Sequence, residues 1–332
     1  MLNSYCIFYH NLDEALFVNA TKENTKVVLE DCIINYGDYG IEVEGLGSVA
    51  MNKTIVSNQI NQGISVGAKG QLLMNECELL DCGGGIVMIE NSKVMAVESK
   101  INNNEEMGIL VSDDSEISIY NCDISENLMD GLAVFNKGQA TVFETKFSAN
   151  KVCGISVAEA SILNLHKSKI FHNDKGIGIV NVSSIFMDNS QITNNKEYDL
   201  YQSGKSESHI EKSTFYNEGH GLPDDTPLFV GVIVAEESNA VFVDCDFSTN
   251  QWDEAKLTMS ADKSMVTYKN CSFHDAQDGI GVFDNSQCTI NNCKFNNIQN
   301  LEVKMQEEKD SKLKLADTKL SDKTMSQFKK VK

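Results

Sequence analysis

A small residue (Cys, Ser or Thr) followed two places later by an aliphatic or aromatic one recurs twelve times along the chain. The small column runs Cys32, Thr54, Cys77, Ser99, Cys122, Thr145, Ser168, Ser190, Ser213, Cys245, Cys271 and Cys293. Its partner column runs Ile34, Val56, Leu79, Ile101, Ile124, Phe147, Ile170, Ile192, Phe215, Phe247, Phe273 and Phe295. Successive steps are 22 or 23 residues, apart from 32 before Cys245 and 26 before Cys271. A period in the 20s marks stacked units, none of which can bury its apolar face alone. A second run, Gly-Ile-x-Val, recurs from Gly40, Gly63, Gly108, Gly154 and Gly279, and such alternation predicts short strands, not helices. Roughly four residues before the strand-leading position sits Asn or Asp: Asp81, Asn104, Asn127, Asn150, Asn195, Asp275 and Asn296. These types tolerate a left-handed corner, and stacked corners predict an asparagine ladder.

A leucine-rich repeat has a similar length, but it needs a leucine/asparagine consensus and a convex helix, whereas each unit here holds several β-type runs. The pattern resembles the right-handed parallel β-helix, the pectin-lyase-like coil. The resemblance covers residues 15–300 and implies an all-β, single-stranded right-handed parallel β-helix of about 12 coils. Residues 1–14, with Tyr5, Ile7, Phe8 and Tyr9, are expected to cap one end, and 301–332 to form a polar, charged tail, solvated or amphipathic. The repeats specify a fold and leave the activity to sites carried on it.

The formal charge is −20, and all 28 basic residues are lysines. An acidic chain without arginine lacks the forked phosphate donors of nucleic-acid binders, so DNA and RNA are excluded as expected partners. Six of the ten cysteines fall in the small column, interchangeable with Ser and Thr, and are read as packing; Cys245, Cys271 and Cys293 follow one another closely enough to bridge. The first residues do not have the pattern of a signal peptide, and no apolar run is long enough for a membrane helix. The expected setting is therefore cytoplasmic, with a cytoskeletal or ciliary assembly as the finer expectation, suggested by an arginine-free, asparagine-rich composition.

Candidate chemistry is thin. The longest interruption, 199–231, holds both prolines and the stretch Glu218-Gly219-His220-Gly221-Leu222-Pro223-Asp224-Asp225. Gly-His-Gly and Asp-Asp resemble polygalacturonase elements, but their order is reversed, they share one loop, and the arginine element is missing. The outward position of the Gly-Ile-x-Val strands reads Glu42, Ser65, Val87, Leu110, Ala133, Ser156, Gly178, Tyr201, Ile233, Thr258 and Gly281. One carboxylate on that face cannot supply the pair that glycoside hydrolysis requires. Val87, Leu110 and Ala133 make an apolar patch of the kind that marks protein contacts. Asp244, Asp246, Ser248 and Asn250 imitate the start of a calcium loop without its glycine and terminal glutamate, and the six histidines are dispersed.

These observations lead to the expectation of a non-catalytic interaction scaffold without metal or small-molecule cofactor and without membrane insertion. Its partners would be proteins with basic surfaces. Val87, Leu110, Ala133, Tyr201, Ile233, His220, Asp224 and Asp225 would provide the contacts. The alternative is a carbohydrate-active enzyme or carbohydrate-binding β-helix.

Overall fold

In the computed structural model, the described residues are 6–218, 230–249, 256–305 and 311–328. The protein is an all-β parallel solenoid of about 12 turns whose described helix content is the single segment Asp322–Phe328. Each turn contributes strands to three ladders, and every recorded pairing is parallel. One ladder holds the Gly-Ile-x-Val strands, such as Gly84–Met88, Ile109–Val111 and Leu132–Val134 in register. A second holds Gln71–Asn75, Lys93–Val97 and Glu116–Tyr120. The third holds Glu78–Leu80, Lys100–Asn102 and Asp123–Ser125. The chain falls into two compact units, Met1–Asn164 and Leu165–Lys332.

The small column earns its composition from hydrogen bonding. Thr54 Oγ1 donates to the Asn52 carbonyl at 3.1 Å, Ser99 Oγ to the Val97 carbonyl at 2.8 Å, and Cys77 Sγ to the Asn75 carbonyl at 3.2 Å. The same side-chain atom accepts a backbone N–H from the preceding turn, as Ser99 Oγ does from Cys77 at 3.0 Å. Cys, Ser and Thr all meet this requirement, and a larger side chain would not fit, so the column varies among them. Every cysteine among the described residues is a free thiol, and all but Cys6 are buried.

The partner column forms the core. Ile34, Val56, Leu79, Ile101, Ile124 and Phe147 are closed to solvent in the first unit. In the second unit the file turns aromatic: Phe215, Phe247 and Phe273 stack at 5.0 and 4.9 Å with planes within 5°. Rings stacked at this separation bury a large apolar area and add an aromatic-pair attraction to it.

The corner differs from expectation in one respect. The ladder asparagines are real: Asn104 Nδ2 donates to Asn127 Oδ1 and Asn127 Nδ2 to Asn150 Oδ1, both at 2.9 Å, all three buried. Asp81 and Asp275 are left-handed as expected, whereas at Asn104, Asn127 and Asn150 the left-handed residue is the one before each, Asn103, Glu126 and Ala149, so there the ladder residue points inward and its neighbour makes the turn. Glycine leads the strands for close approach, not for φ: a Cβ on Gly108 or Gly131 would lie 2.7 Å from the carbonyl oxygen of the next turn's glycine.

Both ends also carry ladder strands. Ile7, Phe8 and Tyr9 pair in register with Ile33, Ile34 and Asn35, with Ile7 and Tyr9 more than half exposed, so these residues continue the ladder. Within the expected tail, Lys312–Ala316 pairs with Gln287–Asn291.

Candidate functional site

The second ladder of the second unit concentrates chemistry. Ser184–Asp188 alternates Ile185 and Met187 inward with Ser184, Phe186 and Asp188 outward. Glu207–Glu211 repeats the pattern with His209 and Glu211 outward, and the two strands are in register: Phe186 opposite His209, Asp188 opposite Glu211. Parallel neighbours lie about 4.8 Å apart, so two carboxylates occupy adjacent rungs of one solvent-facing column.

Each carboxylate is held by a histidine. His166 Nδ1 donates to Asp188 Oδ1, and Asn189 Nδ2 donates to Asp188 Oδ2 at 2.6 Å. His209 Nε2 donates to Glu211 Oε1 at 2.7 Å. A carboxylate only accepts, so the facing ring nitrogen carries the proton and the tautomer is fixed. Phe186 lies between the imidazoles, stacked on His209 at 5.8 Å with planes 6° apart and tilted against His166 at 5.7 Å. Stacking directs the Phe186 face along the ladder and leaves its edge to solvent, so the ring spaces the histidines and offers no flat platform. The side chains of Asp188 and Glu211 are 26% and 35% exposed, within reach of a surface ligand and partly dried.

A second constellation lies on the third ladder. His274 Nε2 contacts both oxygens of Asp246 at 3.1 Å, and Nδ1 contacts Asp275 Oδ2 at 2.7 Å. Partial burial opposes charging of His274, but the bonds to Asp275 and Asp246 outweigh it and raise its pKa; the bond from His274 lowers that of Asp275. An imidazolium with both N–H groups given to carboxylates has no proton free for a substrate, so this is a structural clamp. Asp246, from the run that imitates a calcium loop, is one jaw of it.

The residues expected to bind a partner are distributed differently. Val87, Leu110 and Ala133 stand opposite one another on consecutive turns, but Val87 and Leu110 are half-buried and Ala133 is fully closed off, so the patch is narrower than the sequence implied. Tyr201 faces Ile233 in register, both half-buried, and the Tyr201 ring lies 5.6 Å from that of Tyr198. Met259, not Thr258, continues this file, because Ile233 pairs with Met259 and Thr258 points inward. His220, Asp224 and Asp225 lie outside the described residues. The Asp188 and Glu211 pair escaped the sequence reading because only the Gly-Ile-x-Val face was tested for carboxylates. The signal was present in Ser184-Ile185-Phe186-Met187-Asp188 and Glu207-Ser208-His209-Ile210-Glu211, two alternating runs 23 residues apart.

Among curated protein sequences none matches this chain. Solved structures do. The A-module of the mannuronan C-5 epimerase AlgE6 of Azotobacter vinelandii aligns over 94% of this chain and 91% of its own, at 12% identity and a TM-score of 0.59. The Vag8 complex with C1 inhibitor aligns over 87% of this chain and 73% of that one, at 13% identity and a TM-score of 0.55. The catalytic domain of a GH87 α-1,3-glucanase in complex with nigerose aligns over 92% of this chain and 63% of its own, at 11% identity and a TM-score of 0.50. Likeness at these identities is likeness of fold. With a mannuronan C-5 epimerase and an α-1,3-glucanase among the proteins that share this fold, the expectations of a non-catalytic scaffold and of no enzyme are corrected: the fold does not support them over the carbohydrate alternative. The family described as right handed beta helix region matches residues 62–215 and 153–307, and the chain belongs to it.

Proposed function

We propose that the protein is a carbohydrate-active β-helix that hydrolyses a neutral glycan at Asp188 and Glu211. The observation that carries the reading is their register on adjacent strands. Retaining glycosidases hold two carboxyl groups about 5–5.5 Å apart and inverting ones about 6.5–9.5 Å, and the ladder spacing matches the shorter separation. Asp188, its oxygens held by His166 and Asn189, would attack the anomeric carbon. Glu211, bonded through Oε1 to His209, would protonate the leaving oxygen from Oε2 and then activate water. His166 and His209 are positioning residues, each fixing the rotamer of one carboxylate.

The charge favours a neutral substrate, since a uronate polymer would approach a chain of net charge −20 and a carboxylate pair against repulsion. The GH87 α-1,3-glucanase among the similar structures supports beginning with glucans. Incubation with soluble α- and β-glucans should release reducing sugar. Asp188→Asn and Glu211→Gln should each lower the rate by at least about a hundredfold while leaving the melting temperature within a few degrees, as loss of an acid/base group does. Release that persists in both folded variants would place the chemistry elsewhere.

A further inference from the structure

The first unit contains a pocket of about 240 Å³ at a left-handed corner. The corner residue on three successive turns is His10, Tyr36 and Asn58, with φ of 54°, 53° and 55°. Asn and His are both enriched in that conformation, whereas a bulky Tyr is strained by it. Asn58 holds its corner with a carboxamide, and the two turns before it present rings there. The rings are exposed: Tyr36 and Tyr9 show 45% and 55% of their surface, His10 and Tyr36 lie 5.6 Å apart, and Tyr9 packs edge-on against both.

The rest of the wall gives the ligand its character. Leu12 and Ile60 expose apolar side chains at the rim, 92% and 72% open to solvent. Asp38 is the one carboxylate in the lining, which contains no lysine. Asn11 and Asn58 add carboxamides, and Asn11 Nδ2 is a buried donor without a partner. A hydroxyl group both donates and accepts, and so matches the carboxamides of Asn11 and Asn58 and the carboxylate of Asp38. A quaternary ammonium would use the rings and Asp38 but neither amide, and a uronate would be repelled by Asp38.

We infer that this corner is a binding site for one ring of a neutral glycan, stacked against Tyr36 and His10 and hydrogen-bonded by Asn11, Asn58 and Asp38. The inference concerns binding only and does not rest on the assignment of Asp188 and Glu211. The test is titration of the whole protein with maltotriose, cellotriose, nigerotriose, trimannuronate and tetramethylammonium, followed by NMR of the tyrosine rings. At least one neutral trisaccharide should bind saturably and shift the Tyr36 ring resonances. Tyr36→Ala should weaken that binding by about tenfold, equivalent to about 1.4 kcal/mol, and Tyr36→Phe should retain most of it. The Tyr36 ring shifts report this corner whichever way the hydrolysis assay of Asp188→Asn and Glu211→Gln comes out, which separates this site from the proposed hydrolytic pair. The inference is overturned if no neutral trisaccharide binds saturably, if trimannuronate or tetramethylammonium binds more tightly, or if a folded Tyr36→Ala variant binds like the parent. Should that variant fail to fold, the ring shifts of the unmodified protein decide: unmoved Tyr36 resonances at saturation overturn the inference.

Discussion

At the scale of single residues, the difference between a reactive group and a clamped one lies in how many of its polar atoms are already spoken for. His274 is bonded through both nitrogens, whereas Glu211 has a histidine on one oxygen. The clamp has a pH signature. The folded-state pKa of His274 is raised, so its contribution to stability is fully present below its unfolded value and is lost as pH rises through the folded one. That of Asp275 is lowered, so its contribution is present above its unfolded value and is lost as pH falls through the folded one. The clamp therefore stabilises most between the carboxylate and imidazole ranges, about pH 4 to 7. Melting temperatures recorded across pH 4–9 should show His274→Gln losing most near pH 5–6 and least at pH 9; a loss independent of pH would show that packing, not charge, is the role of His274.

At the scale of the strand and its ladder, the interior is legible from sequence because inward positions admit few side chains. The Cys/Ser/Thr column, its aliphatic and aromatic partner column, and the asparagine ladder were all visible as periods. The outward positions tolerate almost anything, so their chemistry becomes visible only once register is known. Asp188 and Glu211 are two of 48 acidic residues until the ladder places them on adjacent rungs. The His10 and Tyr36 corner was hidden for the same reason: left-handed corners of this chain also carry Lys, Glu, Ala and Val, so residue type at a corner gives no signal until register is known. Phe247 tests the interior most severely, lying between Phe215 and Phe273 with 1% exposure. Phe247→Ala should cost about 3–5 kcal/mol in urea unfolding, and Phe247→Asp, which buries an unpaired charge, should unfold the neighbouring turns. Parental unfolding of the Asp variant would place Phe247 on the surface.

At the scale of the whole molecule, the fold is a regular support whose repeats set distances between side chains without specifying chemistry. A spacing of about 4.8 Å between rungs brings any two in-register carboxylates close to the separation used for double displacement at an anomeric centre. The excess of acid over base, with no arginine, disfavours anionic polymers, which is why neutral glycans are the class proposed for both the carboxylate pair and the aromatic corner. Under the proposed assignment the spacing predicts a stereochemical outcome, which tests the account most directly. Proton NMR of the first product released from an α-1,3-linked glucan should show the anomeric configuration of the substrate retained. An inverted first product, or no product from any neutral glucan, would contradict the assignment of Asp188 and Glu211.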